Sequence, residues 1–474
     1  MATWKKPYVG LTGGWLTFWV SAACSIDMML FGYDQGVFSG VVVTSDFLEV
    51  HNLVGPAKTK TLSTVTAIYD VGCFLGAILA FTLGEWLGRK NSILLGTTIM
   101  AVGTILQASS YSLAQMFVGR IILGVGNGVN TATAPVWQTE TAQMKWRGKL
   151  VILELGLNVG GYCIVNWINY ALSFQEGSIA WRLPIALQLV FICALFATVP
   201  WLPEPPRWLL AHGRREEGLE VLSCIEAKPV DDAYIVAQHD EIQYSVQYER
   251  DNAVRWRDLL LGMKSEGTKT LRRLLLGAGT QAIQQLQGIN IMSYYHPLVL
   301  INSFGLSNAL ARLLTACNAI SYFIFSCAIT TVVEKLGRRG LMLLSGFGQF
   351  LSFLVITILL RFVLRITNFA IVEITPIGIQ NLGWKFWIVW TVLNAVFLPV
   401  IYFLYSETAD CTLEDVDAYY RTNPPLIVVG DPDAISTKRP LRFMQHEDEK
   451  IQRKAKEAQI ETRKGYLTDV EYVE

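Results

Sequence analysis

Charge is what this 474-residue sequence has least of: Asp, Glu, Lys and Arg make up 16% of it, where a soluble domain carries about a quarter. With 52% hydrophobic residues beside it, that shortage excludes an ordinary water-soluble globule. Neither sign of charge predominates. Lys plus Arg number 39 and Asp plus Glu 39, the formal net charge is +0 and the pI about 7.0, so nothing points to nucleic acid or another polyanion as a partner. Cysteine is scarce and unpatterned. Of 8 cysteines, Cys24, Cys73, Cys163, Cys193, Cys317 and Cys327 lie inside apolar segments without metal-ligand spacing, which reads as packing by a small residue. The loops carry no phosphate-cradling glycine loop, nucleophile motif or metal spacing, so neither an enzyme nor a bound metal or cofactor is expected.

What the chain has instead is apolar runs of roughly 20 residues, the length that crosses about 30 Å of hydrocarbon at 1.5 Å per residue. Six fall near 14–40, 62–84, 91–109, 113–134, 148–172 and 182–203. Lys5 and Lys6 precede the first, which is too long for a cleaved signal peptide and reads as a retained helix. A charged stretch from Glu204 to about Lys269 has helical spacing of its apolar residues. Runs resume near 272–299, 308–333, 341–362 and 384–405, with an apolar piece at 366–380 interrupted by Pro376 and Gly378. The expected organisation is a six-helix bundle (1–203), a cytoplasmic helical linker (204–270), a second bundle (271–406) and a cytoplasmic tail (407–474). A repeat supports it: GEWLGRK at 84–90 and EKLGRRG at 334–340 each follow the second helix of a half. Positive charge favours the cytoplasmic side, which puts Lys5, Lys6, Arg89, Lys90, Arg338 and Arg339 inside.

These motifs, with PVWQTETAQMKWRG (135–148), PEPPRWLL (203–210), FGYDQGV (31–37), GRIILGVGNG (119–128), QQLQGINIMSYY (284–295) and SETADCTLED (406–415), resemble the sugar porter family of the major facilitator superfamily, closest to fungal monosaccharide transporters. The resemblance implies an all-α membrane protein of two pseudo-symmetric helical bundles that carries a sugar by alternating access, with protons as co-substrate, in the plasma membrane. It covers nearly the whole chain except a gap between roughly Phe362 and Ile366. A sensor of the same fold is disfavoured by the short tail. A polyol as solute and a truncated, non-transporting product stay open.

A sugar offers hydroxyls that donate and accept, so its site calls for uncharged amides and phenols. Gln284, Gln285, Asn290 and Tyr294 fit, with Gly288 permitting a break in the helix that carries them. By resemblance Asn318 and Asn368 join this set. Asp34 lies within an apolar helix, where a charge costs roughly 2.5–3.5 kcal/mol and needs a partner. Arg120 is the natural one, and the resemblance makes the pair a titrating switch. Asp27, seven residues earlier, is only about 20° away on the same face and is a second candidate for proton coupling. The cytoplasmic gating network expected from the motifs comprises Gly84, Glu85, Arg89, Glu140, Arg147, Glu204, Arg207, Glu334, Arg338 and Arg339. Gly72 with Gly76, and Gly124 with Gly128, have the spacing that lets helices approach closely.

The sequence departs from the family in three places. Glu154 and Leu155 stand where a sugar-facing glutamine is expected; Glu154 is read as a polar substitute or second titrating group, and Asn158 one turn on as a further sugar ligand. Ser406 replaces a proline. After the ninth helix roughly three score residues are absent, enough for a crossing and its loop. That makes about 10 to 11 spans instead of 12. If 366–380 crosses the membrane the tail falls outside; if not, ten spans restore parity.

Overall fold

The computed structural model describes residues 10–55, 58–251, 270–287, 289–363 and 385–408, with short pieces of the tail at 411, 413–421, 425–436, 439–440 and 445. Among them the chain is built of helices joined by short turns, with no strand.

The first half contains α1 (Gly14–Val41), α2 (Ser45–Val50), α3 (Thr59–Leu87), α4 (Arg89–Ala108), α5 (Leu113–Thr141), α6 (Met144–Ala171), α7 (Ile179–Ala186) and α8 (Gln188–Thr198). The last two form one crossing interrupted near Pro184. Six described helices are long and apolar enough to span a membrane: Gly14–Val41, Lys60–Leu87, Arg89–Ala108, Trp146–Phe174, Ile179–Trp201 and Asn308–Ile329. Five of the six expected first-half segments coincide with these spans; the sixth, 113–134, is helical as α5, which is not among them and runs seven residues past the 134 boundary. The overrun is physical. Pro135 lies inside α5 and does not end it, because the tertiary packing around Trp137, whose indole N–H donates to Pro203 O at 3.1 Å, holds the last two turns.

Close contact between helices rests on the small residues. A Cβ on Gly72 would stand 3.0 Å from Gly124 Cα, and one on Gly76 3.0 Å from Gly128 Cα, so the two glycine pairs face each other across α3 and α5. The outside of the bundle is the reverse of a soluble surface: Trp15, Phe74, Phe81 and Trp86 are all more than 60% exposed, an apolar belt that only lipid would cover.

The charged middle forms α9 (Pro206–Ala211), α10 (Arg215–Glu226) and α11 (Ala233–Asp251). The second half opens with α12 (Thr270–Leu286) and α13 (Ile289–Phe304). α12 ends at Leu286 and α13 begins at Ile289, and Gly288, where a break was expected, lies outside the described residues. Next, α14 (Asn308–Val363) is two helices joined at Gly337, whose φ of 72° and ψ of 162° turn the chain. α15 (Lys385–Leu404) and the tail helix α16 (Leu413–Arg421) follow. The expected gap after Phe362, the 366–380 segment and Asn368 lie outside the described residues.

Candidate functional site

The first half buries a charged pair at its centre. Asp34 on α1 and Arg120 on α5 are each 0% exposed, and Arg120 Nη1 lies 3.7 Å from Asp34 Oδ1. That separation is an ion pair but too long for a hydrogen bond. Arg120 is instead held by neutral groups: Nε donates to Val65 O at 3.4 Å and Nη2 to Thr66 O at 3.0 Å. Its guanidinium also stands 3.7 Å from the Phe38 ring centroid and 4.6 Å from that of Tyr69. Asp34 Oδ1 accepts from Gln188 Nε2 at 3.2 Å, while Oδ2 has no hydrogen-bond partner. A carboxylate so placed needs little displacement to lose its cation, which is what a protonation switch requires.

The second half reaches this pair through α13. Tyr294 is 5% exposed on α13, which packs against α1. Asp70 was not anticipated from sequence. Its signal was a lone carboxylate in an apolar helix, the same signal that singled out Asp34. Gln188 and Asn130, amides inside apolar helices, were likewise legible and missed. Gln284, Gln285 and Asn318 are exposed, and the side chain of Asn290 lies outside the described residues.

Two expected sugar ligands are placed otherwise. Asn158 donates its amide to Met28 O at 3.1 Å and ties α6 to α1. Glu154 is 1% exposed and turned toward α1, in electrostatic reach of Asp27. The correction follows from helix geometry: adjacent residues point about 100° apart, and it is Leu155 that takes the open side. Leu155 lines a cavity of about 630 Å³ with Arg147, Val151 and Ile152 from α6 and Tyr322 and Ser326 from α14.

That cavity lies between the halves at the end that carries the basic motifs. The opposite end is shut. Arg312, 4% exposed in the first turns of α14, donates from Nη1 to Asn169 O at 3.0 Å, from Nη2 to Thr44 Oγ1 at 3.0 Å and from Nε to Asn308 Oδ1 at 2.8 Å. Asn308 Nδ2 in turn donates to Val43 O at 2.9 Å. Three of these four bonds cross from the second half to the first. The two halves are therefore pinned together at this end, while the cavity separates them at the other.

The cytoplasmic motifs form a connected network. Arg89 grips Glu140 with Nε and Nη2, both at 3.2 Å, and donates from Nη1 to Gly84 O at 3.2 Å. Glu204 Oε2 accepts from the backbone N–H of Arg89 at 2.8 Å and of Lys90 at 3.3 Å, and so caps α4. Burial pushes the Glu204 carboxyl above its ordinary value against the pull of these donors. Trp208 donates to Glu85 O at 2.7 Å, and Arg207 reaches Ser245 Oγ at 3.5 Å. Arg147 lines the cavity. The side chains of Glu334 and Arg338 lie outside the described residues, but the backbone N–H of Arg339 donates to Glu407 Oε2 at 3.0 Å. Gly88 has φ of 86° and Gly337 φ of 72°. Each half thus has the same device: a left-handed glycine starts a helix, and a glutamate from beyond the last span caps it. Glu407 escaped notice, although SET at 406–408 stands where PEP stands at 203–205.

Two helical bundles, a loose buried ion pair in one and a broken helix in the other define a multi-pass membrane transporter, and the comparisons agree. The family model described as "Sugar (and other) transporter" matches residues 20–367 and 361–420, and the chain belongs to that family, whose members transport rather than catalyse. It is 61% identical to the MFS-type transporter oryC of Aspergillus oryzae over an alignment of 525 positions, covering 99% of this chain and 97% of that one. It is 30% identical to the sugar transporter STL1 of Saccharomyces cerevisiae over 485 residues, covering 88% and 83%. Among solved structures, the proton:xylose symporter XylE of E. coli superposes with a TM-score of 0.71 at 19% identity over 85% of this chain and 99% of that chain, which establishes the major facilitator fold.

Proposed function

We propose that the protein imports a small polyhydroxylated solute, a monosaccharide or a polyol, across the plasma membrane together with a proton. The observation that carries this reading is the packing of α13, with Tyr294 buried on it, against α1, the helix that carries Asp34. It joins the broken helix of the second half, where sugar hydroxyls would be bound, to the titratable pair of the first. Protonation of Asp34 removes the charge that holds Arg120. Arg120, already bonded to the Val65 and Thr66 carbonyls, is then left to them alone, and the constraint on α13 changes with it. Gln284, Gln285, Asn290 and Tyr294 are the proposed sugar ligands, with Asn318 from α14 and Asn368 beyond. Support for the solute class comes from the family description and from STL1, named a sugar transporter. The halves at 1–203 and 271–406 rock about the seam, and the 204–270 linker and 407–474 tail stay on the cytoplasmic face.

The test is uptake into proteoliposomes of labelled hexoses, pentoses and polyols under an imposed proton gradient. Uphill accumulation of at least one is expected, and Asp34→Asn should abolish accumulation while sparing exchange. Failure of every solute offered, with the purified protein folded, refutes the reading.

A further inference from the structure

A second buried carboxylate, distinct from Asp34, lies where nothing balances it. Asp27 on α1 is 2% exposed and Glu154 on α6 1% exposed. The helices run parallel in close contact: a Cβ on Gly32 would strike the Asn158 carbonyl, and one on Gly40 the side chain of Asn169. Carried back one turn, the same register sets Glu154 opposite Asp27 and Met28. Asp27 Oδ1 accepts from Asn130 Nδ2 at 2.7 Å, and that amide also reaches Thr97 Oγ1 at 3.1 Å. The remaining atoms are acceptors with no donor. Asp27 Oδ2, both oxygens of Glu154 and Asn130 Oδ1 are all buried without a hydrogen-bond partner.

Such an arrangement cannot hold two ionised carboxylates. Each would cost several kcal/mol of lost hydration, and the two would repel. Among the described residues, the one hydrogen-bond partner of the two carboxyls is the Asn130 amide, and no ion pair with a basic group is formed by either. The faces presented by α4 and α5 are the uncharged Thr97 and Asn130, and Arg120 is paired with Asp34 two turns along α1. What is missing is a single donor between two acceptors.

We propose that Asp27 and Glu154 form a proton-binding site that holds one proton between them. Glu154 carries it, because Asp27 already accepts from Asn130 and Glu154 has no donor. The Glu154 O–H then donates to Asp27 Oδ2, and the site keeps one negative charge, stabilised by the Asn130 amide. Both helices belong to the first half, so rocking of the halves does not open the site. The proton is retained through the transport cycle and ties α1 to α6. This is separate from the switch proposed at Asp34 and stands or falls independently of it.

The test uses the full-length protein in lipid nanodiscs, by infrared difference spectroscopy from about pH 5 to about pH 9 with and without sodium. A carbonyl stretch of a protonated carboxyl, shifted by deuteration, is expected in the wild type and in D34N and lost in E154Q. Glutamine mimics the protonated acid, so E154Q should also fold. Because the native state binds a proton that the unfolded chain releases, wild-type thermal stability should fall relative to E154Q as pH rises across this window, by about 3 °C or more. Absence of a Glu154-dependent band overturns the proposal, as do parallel stability curves. A band erased by sodium at constant pH also overturns it, since the site would then bind a metal cation. Should E154Q fail to express, D27N serves: with the charged acceptor replaced by a neutral amide the Glu154 stretch must move or vanish, and an unmoved band refutes the pairing.

Discussion

Replacing Arg312 with methionine should tip the carrier toward its outward-open form. Methionine keeps most of the apolar stem and leaves no buried charge behind. It deletes the two Arg312 bonds that cross the seam, to Asn169 O and Thr44 Oγ1. A buried hydrogen bond from a charged donor contributes about 1.5–3 kcal/mol. In the open form the guanidinium regains water, so the two bonds together favour closure by about 2–4 kcal/mol net. Thr44 is not orphaned by the change, because its hydroxyl also donates to Gly40 O at 3.0 Å. The equilibrium between outside-closed and outside-open forms should then shift roughly 30- to 1,000-fold. Spin labels at Glu49 on α2 and Ser307 before α14, both exposed, would report it in a cysteine-depleted background. The wild type should show one short distance, R312M a second, longer one, and Arg312→Lys a mixture. A distance distribution unchanged in R312M would show that the outer closure does not depend on these bonds, and the reasoning would fail.

Other expectations bear on the cytoplasmic face. Gly88→Ala should cost about 1–3 kcal/mol, read as a lowered unfolding temperature, because φ is 86° there and the added Cβ would collide with the Glu204 carboxylate. The Glu204 carboxyl is raised by burial, so the folded state holds its proton more tightly than the unfolded chain. Stability should therefore fall as pH rises from the ordinary carboxylate value of about 4.3 through the raised one, and Glu204→Gln should flatten that part of a melting-temperature profile. Asp70→Asn, measured by proton uptake on solute addition, should alter the pH dependence of transport if Asp70 shares the field around Arg120; an unchanged profile would assign it to the solvated seam.

Most spanning segments were legible because a helix in lipid must satisfy its backbone internally, and apolar runs of the right length have few alternatives. The break between α12 and α13 and the pairing of Asp34 with Arg120 were legible for a related reason: a helix breaker or a charge in hydrocarbon needs a local cause. What failed was direction around the helix. Glu154 and Leu155 are neighbours in sequence but face α1 and the cavity respectively, and only the register of α6 against α1 decides which is which. Arg312 was missed because an arginine near a helix end ordinarily snorkels to water, and its burial depends on Thr44 and Asn169, more than a hundred positions away.

The two glycine-glutamate caps also measure the second half. From Gly88 to Glu204 the chain advances 116 positions, and from Gly337 to Glu407 it advances 70, a difference of 46. The oryC alignment spans 525 positions, 51 more than this chain has residues. Both caps lie at the end with the basic motifs, which the positive-inside rule assigns to the cytoplasm, so the number of crossings between them must be even. Four crossings at about 20 residues each do not fit in 70, whereas two do. Ten spans with the tail inside are therefore expected, and a reporter fused after Ser436 should be protected in sealed, right-side-out vesicles. If the reporter is exposed, the parity argument collapses. If it is protected, the protein should be tested for transport both as it stands and with the corresponding stretch of the oryC chain inserted after Phe362, since the seam that holds the proposed sugar ligands needs both halves complete. A gain of uptake only on insertion would identify the present chain as a carrier lacking part of its second bundle.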